Sequence, residues 1–266
     1  MTKVSLEDIA TLEWQNYAAM QPMVAVTPGV DLILRDDVII TSSQVFPTPD
    51  ANHACLLRAT RETAPALIAA VVEHFTTREL PPTVFVSPAC TPVNLPELLT
   101  AQGFIRQKEQ EAWMVLEKLE DLVRSAPSAR VEVHSIDQSE AMTFARVFLK
   151  AFGMPEEYTG PMAEVLTPSI GLPGMFHYVA TFEEQPLGVC TLICYQDLAI
   201  VGSAGVIASR RGLKVLSGLI ARIYADVCAA GCRRALLQTT AEAPFERFLR
   251  IAGFKTYFVR TGYTMA

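Results

Sequence analysis

The segment Leu99-Thr100-Ala101-Gln102-Gly103-Phe104 returns as Leu249-Arg250-Ile251-Ala252-Gly253-Phe254, and Trp113 falls level with Tyr263, both at an offset of 150 residues. A helical pattern, a short buried run and a shorter helix precede the Gly-Phe pair each time. Self-similarity at a fixed offset constrains a chain strongly, because whatever unit it encodes must fold twice. Two related units are therefore expected in 266 residues, each large enough to bury a core. We place the first at 1–118 and the second at 131–266. The segment 119–130 carries charges, Ser125, Pro127 and Ser128 with little that can pack, and is expected to link them.

Within the first unit, Leu6 to Met20 has a loose helical spacing, and Leu32-Ile33-Leu34 with Val38-Ile39-Ile40 reads as a hairpin. Pro47 and Pro49 mark a loop before a third strand at Ala54 to Leu57. Thr60 to Phe75 has apolar residues at three- and four-residue intervals and predicts a helix. Thr83 to Ser87 is a strand, Leu95 to Gln102 a short helix, and Ile105 to Glu117 one long strand or a pair. In the second unit Val131 to Val133 is a strand, Ser139 to Phe152 a helix, and Glu157 to Leu166 a shorter one. Three apolar runs, Phe176 to Phe182, Leu187 to Tyr195 and Leu198 to Ala208, are parted by turn residues and predict an antiparallel meander. The helix Leu216 to Ala230, the strand Ala235 to Thr240, the helix Phe245 to Ile251 and strands from Phe254 to Met265 complete it. The fold class is α+β: two units, each a mixed, mostly antiparallel sheet flanked by helices.

Half of the residues are apolar, 19% are charged and the net charge is −6, so no polyanion-binding surface is expected and nucleic acid is not an expected partner. No apolar run reaches the roughly 18 residues of a spanning helix, and Met1 to Asp8 lacks the apolar core of a signal peptide. The expectation is a cytoplasmic protein without a membrane partner. Six cysteines lie scattered in apolar surroundings, which suits reduced core thiols. The spacing of Cys190 with Cys194 and of Cys228 with Cys232 is wider than a zinc knuckle's, and no metal is expected.

One stretch carries concrete chemistry. Val206-Ile207-Ala208 ends an apolar strand, Ser209-Arg210-Arg211-Gly212-Leu213-Lys214 is a basic turn, and Val215-Leu216 opens an amphipathic helix. Unpaired amides and the positive end of the helix dipole converge on such a turn, and two arginines and a lysine add full charge. The arrangement points to an anion site.

The order strand, two helices, three-strand meander, basic turn, helix, strand, short helix, Gly-Phe, strand over residues 131–266 resembles the GNAT family of N-acetyltransferases. Its turn pattern, Arg-x-x-Gly-x-Gly or Ala, stands here as Arg211-Gly212-Leu213-Lys214-Val215-Leu216 after Val206-Ile207-Ala208, and its Tyr-x-x-x-Gly-Phe stands as Leu249 to Phe254. Residues 1–118 resemble the degenerate N-terminal half of tandem members. The resemblance implies that Val206, Ile207 and Ala208 face the pantetheine arm of acetyl-CoA or another acyl-CoA. It also implies that Arg211, Gly212, Leu213, Lys214, Val215 and Leu216 hold the pyrophosphate. Departures are equally specific. Lys214 and Leu216 stand where small residues leave the backbone bare, so Leu216 is expected to crowd the phosphates. Leu249 stands where the family has the tyrosine that protonates the leaving thiolate, and Phe245 and Glu242 where many members have Ala and Asn.

The resemblance implies acyl-CoA-dependent transfer of an acyl group, most simply acetyl, to a small-molecule or peptide amine, slow for want of the tyrosine. Glu242, after the buried strand, is the candidate general base, and Tyr257 the candidate replacement acid. Phe152, Tyr158 and Met162, from the helices that wall the acceptor pocket in this family, are the candidate acceptor contacts. The oxyanion would be held by a backbone N–H near Val206. The alternatives are a non-catalytic acyl-CoA-binding protein or an interaction module on the same fold.

Overall fold

The computed structural model describes residues 4–46, 48–124 and 126–265. Met1 to Lys3, Pro47 and Ser125, which entered the sequence argument, lie outside the described residues. The described strands form a single eleven-stranded sheet. In chain order they are β1 (Val30–Leu34), β2 (Ile39–Ser43), β3 (His53–Cys55), β4 (Thr83–Val86), β5 (Ile105–Leu116), β6 (Val131–Ser135), β7 (Met175–Phe182), β8 (Gln185–Tyr195), β9 (Leu198–Val206), β10 (Arg234–Thr240) and β11 (Lys255–Thr264). Their order across the sheet is β1-β2-β3-β4-β11-β5-β10-β9-β8-β7-β6.

That order corrects the expectation of two separate sheets. β5, from the first half of the chain, lies between β10 and β11 of the second half, and β11 lies between β4 and β5 of the first. Each half thus gives its last strand to the other. β5 and β11 pair antiparallel from Lys255↔Val115 to Thr264↔Ile105, with bulges near Tyr257 and Gly262. No seam is left between the halves because every strand edge at the centre is paired. The long Ile105 to Glu117 segment is one strand, not a hairpin.

Helices α1 (Leu6–Ala18), α2 (Gln21–Val26), α3 (Ala64–Thr76), α4 (Leu95–Ala101), α5 (Ala141–Phe152), α6 (Thr159–Leu166), α7 (Val215–Ala229) and α8 (Pro244–Ile251) complete the described elements with five short 3-10 turns. Strand alternation sorts them into two layers. On β8, Val189 packs with α5 and α6, and Ile193 with α1, whereas Cys190 and Leu192 pack with α7 and α8. On β2, Ile39 faces α1 and Ile40 faces α3 and α4. So α1, α5 and α6 share one face, called the front, and α3, α4, α7 and α8 cover the back. The segment after β5 is less free than its composition suggests. Leu119 is buried, its N–H donates to the Arg233 carbonyl, and Leu122 packs on the back-face core.

The two Gly-Phe segments end their helices alike. Gly103 has φ 92° and Gly253 φ 107°, and the N–H of Phe104 and of Phe254 donates to the carbonyl of Leu99 and of Leu249 at 3.1 and 3.0 Å. A left-handed glycine followed by a buried aromatic is the chemistry of a helix stop. A different glycine sets the fit of α7 on the sheet. A Cβ at Gly218 would stand 2.5 Å from Val131 Cγ1 and 3.3 Å from Val133 Cγ2 of β6. We expect Gly218→Ala to destabilise by about 1–2 kcal/mol despite alanine's better helix propensity. Gly160→Ala in α6, where the added methyl meets nothing within 4 Å, should be neutral or stabilising. Urea midpoints of the two variants would check the pair, and equal midpoints would show that α7 shifts freely.

Candidate functional site: the parting of two parallel strands

β9 and β10 are parallel neighbours for only three residue pairs, Arg234↔Leu198, Ala235↔Ala199 and Leu236↔Ile200. From Val201 and Leu237 onward the ladder stops, while β9 stays paired with β8 to Val206 and β10 with β5 to Thr240. The edge of β9 that faces β10 is therefore unpaired in the ladder from Val201 to Val206. Halfway along that edge β9 bulges: Val189↔Gly205 and Thr191↔Gly202 leave Cys190 opposite two residues, and Ser203 has φ 51°. The bulge interrupts regular pairing where the strands separate. Two glycines hold the helices close to this edge. A Cβ at Gly188 would meet Val215 Cγ1 of α7 at 2.8 Å, and one at Gly205 would meet Phe152 Cε2 of α5 at 2.8 Å.

The matching place in the first half is closed. β3 and β4 are also parallel, through Ala54↔Val84 and Cys55↔Phe85, but the chain beyond them is joined again by an Arg58↔Thr91 bridge. The Thr91 N–H donates to the Leu57 carbonyl at 2.9 Å, and Leu57 and Cys90 are buried there. These strands therefore stay joined by main-chain contacts where β9 and β10 part.

The basic turn follows β9 directly. Ala208–Leu213 is a 3-10 turn, tighter than an open loop, and Lys214 is the N-cap of α7 with φ 59° and ψ 20°. That backbone region is natural for glycine and uncommon for lysine. Arg210, Arg211, Gly212 and Lys214 are exposed, and none of the three cations has an ion pair among the described residues. Val215 is fully buried, and Leu213 and Ile207 pack on the back-face core. Leu216 lines a back-face cavity with Leu219.

The other candidates are dispersed. Leu249 is buried and lines the same cavity. Tyr257 is the extra residue of a β11 bulge and packs with the front-face cluster under α1. Its hydroxyl donates to Glu117 Oε1 at 2.8 Å, and burial followed by the Glu117 carboxylate pushes its pKa up to about 12. It thus faces the other side of the sheet from Leu249. Glu242 is exposed with φ 63°, and only its backbone N–H is tied down, donating to Glu246. Glu246, not singled out from the sequence, is the organised carboxylate here. It is buried and accepts from Thr256 Oγ1 at 2.7 Å and Arg250 Nη2 at 2.6 Å. Burial alone would raise its pKa, but the donors from Thr256, the Glu242 amide and Arg250 hold it below the usual value. Its place in the third position of α8 was the available signal: it serves the helix start.

On the front face α5 and α6 bring aromatic residues together. Phe148 and Phe152 lie 4.6 Å apart, Phe152 is half-exposed, Tyr158 meets Phe46 at 6.1 Å, and Met162 packs on the α5–α6 core. His177, beside them, accepts or donates to Ser169 Oγ and Thr191 Oγ1 at 3.0 Å each, and burial lowers its pKa to about 4. It is a neutral core histidine. Cys190 and Cys194 are held above the usual thiol value, first by burial, and all six cysteines are free. Among the described residues no three His, Cys, Asp or Glu side chains are grouped to hold a metal ion, and no helix is long and apolar enough to cross a membrane.

These features define a protein with the fold of the GCN5-related N-acetyltransferases. A GCN5-related N-acetyltransferase from Kribbella flavida superposes with a TM-score of 0.67 at 12% identity, covering 100% of this chain and 96% of the other. One from Sphaerobacter thermophilus gives 0.63 at 14% identity over 88% and 81%. A tandem GNAT protein from the clavulanic acid biosynthesis pathway gives 0.61 at 13% identity over 97% and 94%. No family description matches the sequence itself, and no curated protein matches it either. At such identities the likeness is one of fold.

Proposed function

We propose that the chain is a tandem GNAT protein whose second half binds an acyl-CoA, most simply acetyl-CoA, between β9 and β10 and transfers the acyl group to an amine. The observation that carries this reading is the parting of those strands after Ile200↔Leu236, set against the bridged strands of the first half. The first half then acts as a degenerate partner that supplies β5 and a front-face wall. Arg211 and Lys214 meet the pyrophosphate, and the unpaired strand edge from Val201 to Val206 meets the pantetheine amides. Phe152, Tyr158 and Met162 wall the acceptor.

In the reaction the amine lone pair attacks the thioester carbonyl, and an N–H of the β9 bulge receives the oxyanion. The C–S bond breaks and the thiolate leaves. Glu242, exposed beyond β10, takes the ammonium proton directly or through water. Leu249 has no proton to give, and the Tyr257 hydroxyl is engaged by Glu117 on the other face, so solvent must protonate the thiolate. Turnover is accordingly slow.

Acetyl-CoA at a hundred times its dissociation constant should stabilise the fold by about 2.7 kcal/mol, read as a rise in Tm. Arg211→Ala should weaken binding about tenfold, the size of one charge-assisted hydrogen bond. No rise in Tm at millimolar acetyl-CoA removes the reading. The apolar surroundings of Leu249 favour a second reading, a sensor that binds acyl-CoA without chemistry. Binding with no release of free thiol over a panel of amines would select it.

A further inference from the structure

At the outer end of the sheet in the first half, where β1 begins and β2 ends, lies a polar cavity of about 110 Å³ lined by Gly29, Asp31, Ser42, Ser43, Gln44 and Arg78. The strand register makes this space. Asp31 and Ser42 stand opposite each other in the ladder, and the Gln44 N–H donates to the Gly29 carbonyl at 3.1 Å as the next pair but one. Gly29 brings no side chain to that pair, and a Cβ there would meet nothing nearer than Val45 Cγ2 at 4.0 Å. Arg78, two residues beyond the end of α3, reaches the cavity from the back layer.

The two charged residues of this lining are close but do not satisfy each other. Arg78 Nε lies 3.7 Å from Asp31 Oδ2, too far for a hydrogen bond. Arg78 Nη1 donates to the His74 carbonyl at 3.0 Å, which fixes the guanidinium to the end of α3. Among the described residues neither Arg78 Nη2 nor the Asp31 carboxylate has a hydrogen bond. Ser42, 3% exposed, adds a hydroxyl held 3.2 Å from His74 Nε2. Burial, then Arg78, lowers the pKa of His74 against the pull of Asp31, so the ring adds no charge at neutral pH. The cavity thus presents one cation, one anion and one buried hydroxyl.

We propose that this cavity binds a small zwitterion, a free α-amino acid whose carboxylate rests on Arg78 and Ser42 and whose ammonium rests on Asp31. A simple anion would meet Asp31 as a like charge, and a simple cation would meet Arg78. A ligand with both charges gives each group its partner, and the planar guanidinium suits a carboxylate. At roughly 30 Å³ per water-sized group the cavity takes about four such groups, close to the size of glycine. The Asp31 side chain is 61% exposed, so a larger amino acid can project its own side chain into solvent. The proposal goes beyond the acyl-CoA reading and does not rest on it. Six strand spacings, roughly 29 Å, separate β2 from β9.

Calorimetric titration of the full chain with glycine and alanine tests this, with acetate and methylammonium as single-charge controls and inorganic phosphate as a rival anion. Glycine should bind at least about tenfold more tightly than either control, since each control lacks one charge-assisted contact. Asp31→Asn, an isosteric change at an exposed side chain, should weaken glycine about tenfold and leave acetate unweakened. Arg78→Lys keeps the charge but loses the fork, and should weaken glycine and acetate alike. Absence of glycine binding at millimolar concentration overturns the proposal, and so does glycine bound no more tightly than acetate. Phosphate bound more tightly than glycine would make this an anion site instead. Glycine affinity unchanged by both variants would place the ligand elsewhere on the protein.

Discussion

Glu13→Gln is expected to stabilise the protein by about 3 kcal/mol at pH 8, on the order of 10 °C in Tm, and to change nothing at pH 4. Glu13 lies on α1 with no exposed surface; Ser87 Oγ donates to its Oε2 at 2.5 Å, while its Oε1 is buried without a hydrogen-bond partner. Burial raises its pKa to about 7, against the opposing pull of Arg260 and the Ser87 hydroxyl; Glu111 adds to the rise and Arg58 opposes it. The folded state therefore holds a proton that the unfolded chain releases near 4.5. Between those values the folded state binds more protons, so stability falls as pH rises from about 4.5 through about 7. An amide keeps the shape and cannot ionise, so the variant loses the fall. His53 contributes the opposite slope. It is buried against Tyr17, and burial, then Arg260, lowers its pKa to about 3, so its share of stability is lost as pH drops below about 6.5. Thermal melts of both proteins from pH 4 to pH 8 check the point. Arg260 Nη1 lies 3.7 Å from Glu13 Oε1, beyond hydrogen-bond reach, so a variant less stable at pH 8 would mean that Glu13 is ionised and held by this ion pair.

The second half of the chain was legible because its signals are local. The meander from Met175 to Val206, α7 and the stop at Gly253 rest on alternation, helical spacing and one left-handed glycine, and each lies within a few residues of where the pattern placed it. The exchange of β5 and β11 was not legible. Nothing near Ile105 states that its neighbours will come from residues 234–264, since either partner satisfies the same period-two pattern. For the same reason nothing in the sequence marks Glu111 and Arg260 as a pair. They become partners only because the exchange sets them opposite each other across the ladder.

The candidate site divides along the same line. Arg211, Gly212 and the start of α7 stand where the turn pattern placed them, since strand, turn and helix are contiguous. The direction of Leu216 and of Tyr257 was hidden. The first depends on α8 leaving a space beneath it, and the second on a bulge in β11 that turns the residue to the front. The side chain expected to crowd a phosphate lines a cavity. A hydroxyl that looked available is bonded to Glu117.

The exchange of strands makes a further residue critical. Arg260→Met is expected to cost about 3–5 kcal/mol, enough to lower Tm by roughly 10 °C or more. Arg260 is 4% exposed, on the strand that the second half lends to the first. Its Nε donates to Glu111 Oε2, its Nη1 donates to the Tyr17 hydroxyl at 2.9 Å, and the guanidinium lies 4.4 Å from the Phe85 ring centroid and 4.9 Å from that of Trp113. Burial alone would lower its pKa, but Glu111, Tyr17, Cys55 and Glu13 around it together outweigh that and hold it well above the usual value, so it stays charged. Methionine fills the space between the rings yet leaves Glu111 with only the Trp113 indole N–H, at 2.7 Å, and leaves the Tyr17 oxygen without its donor. The cost is therefore mainly that of an uncompensated carboxylate, which makes a specific demand on the double variant. Glu111→Gln keeps an acceptor for Trp113, so combining it with Arg260→Met should recover about 1–3 kcal/mol relative to the sum of the single changes. Strict additivity in urea unfolding would mean that the ring contacts, and not the ion pair, join β5 to β11.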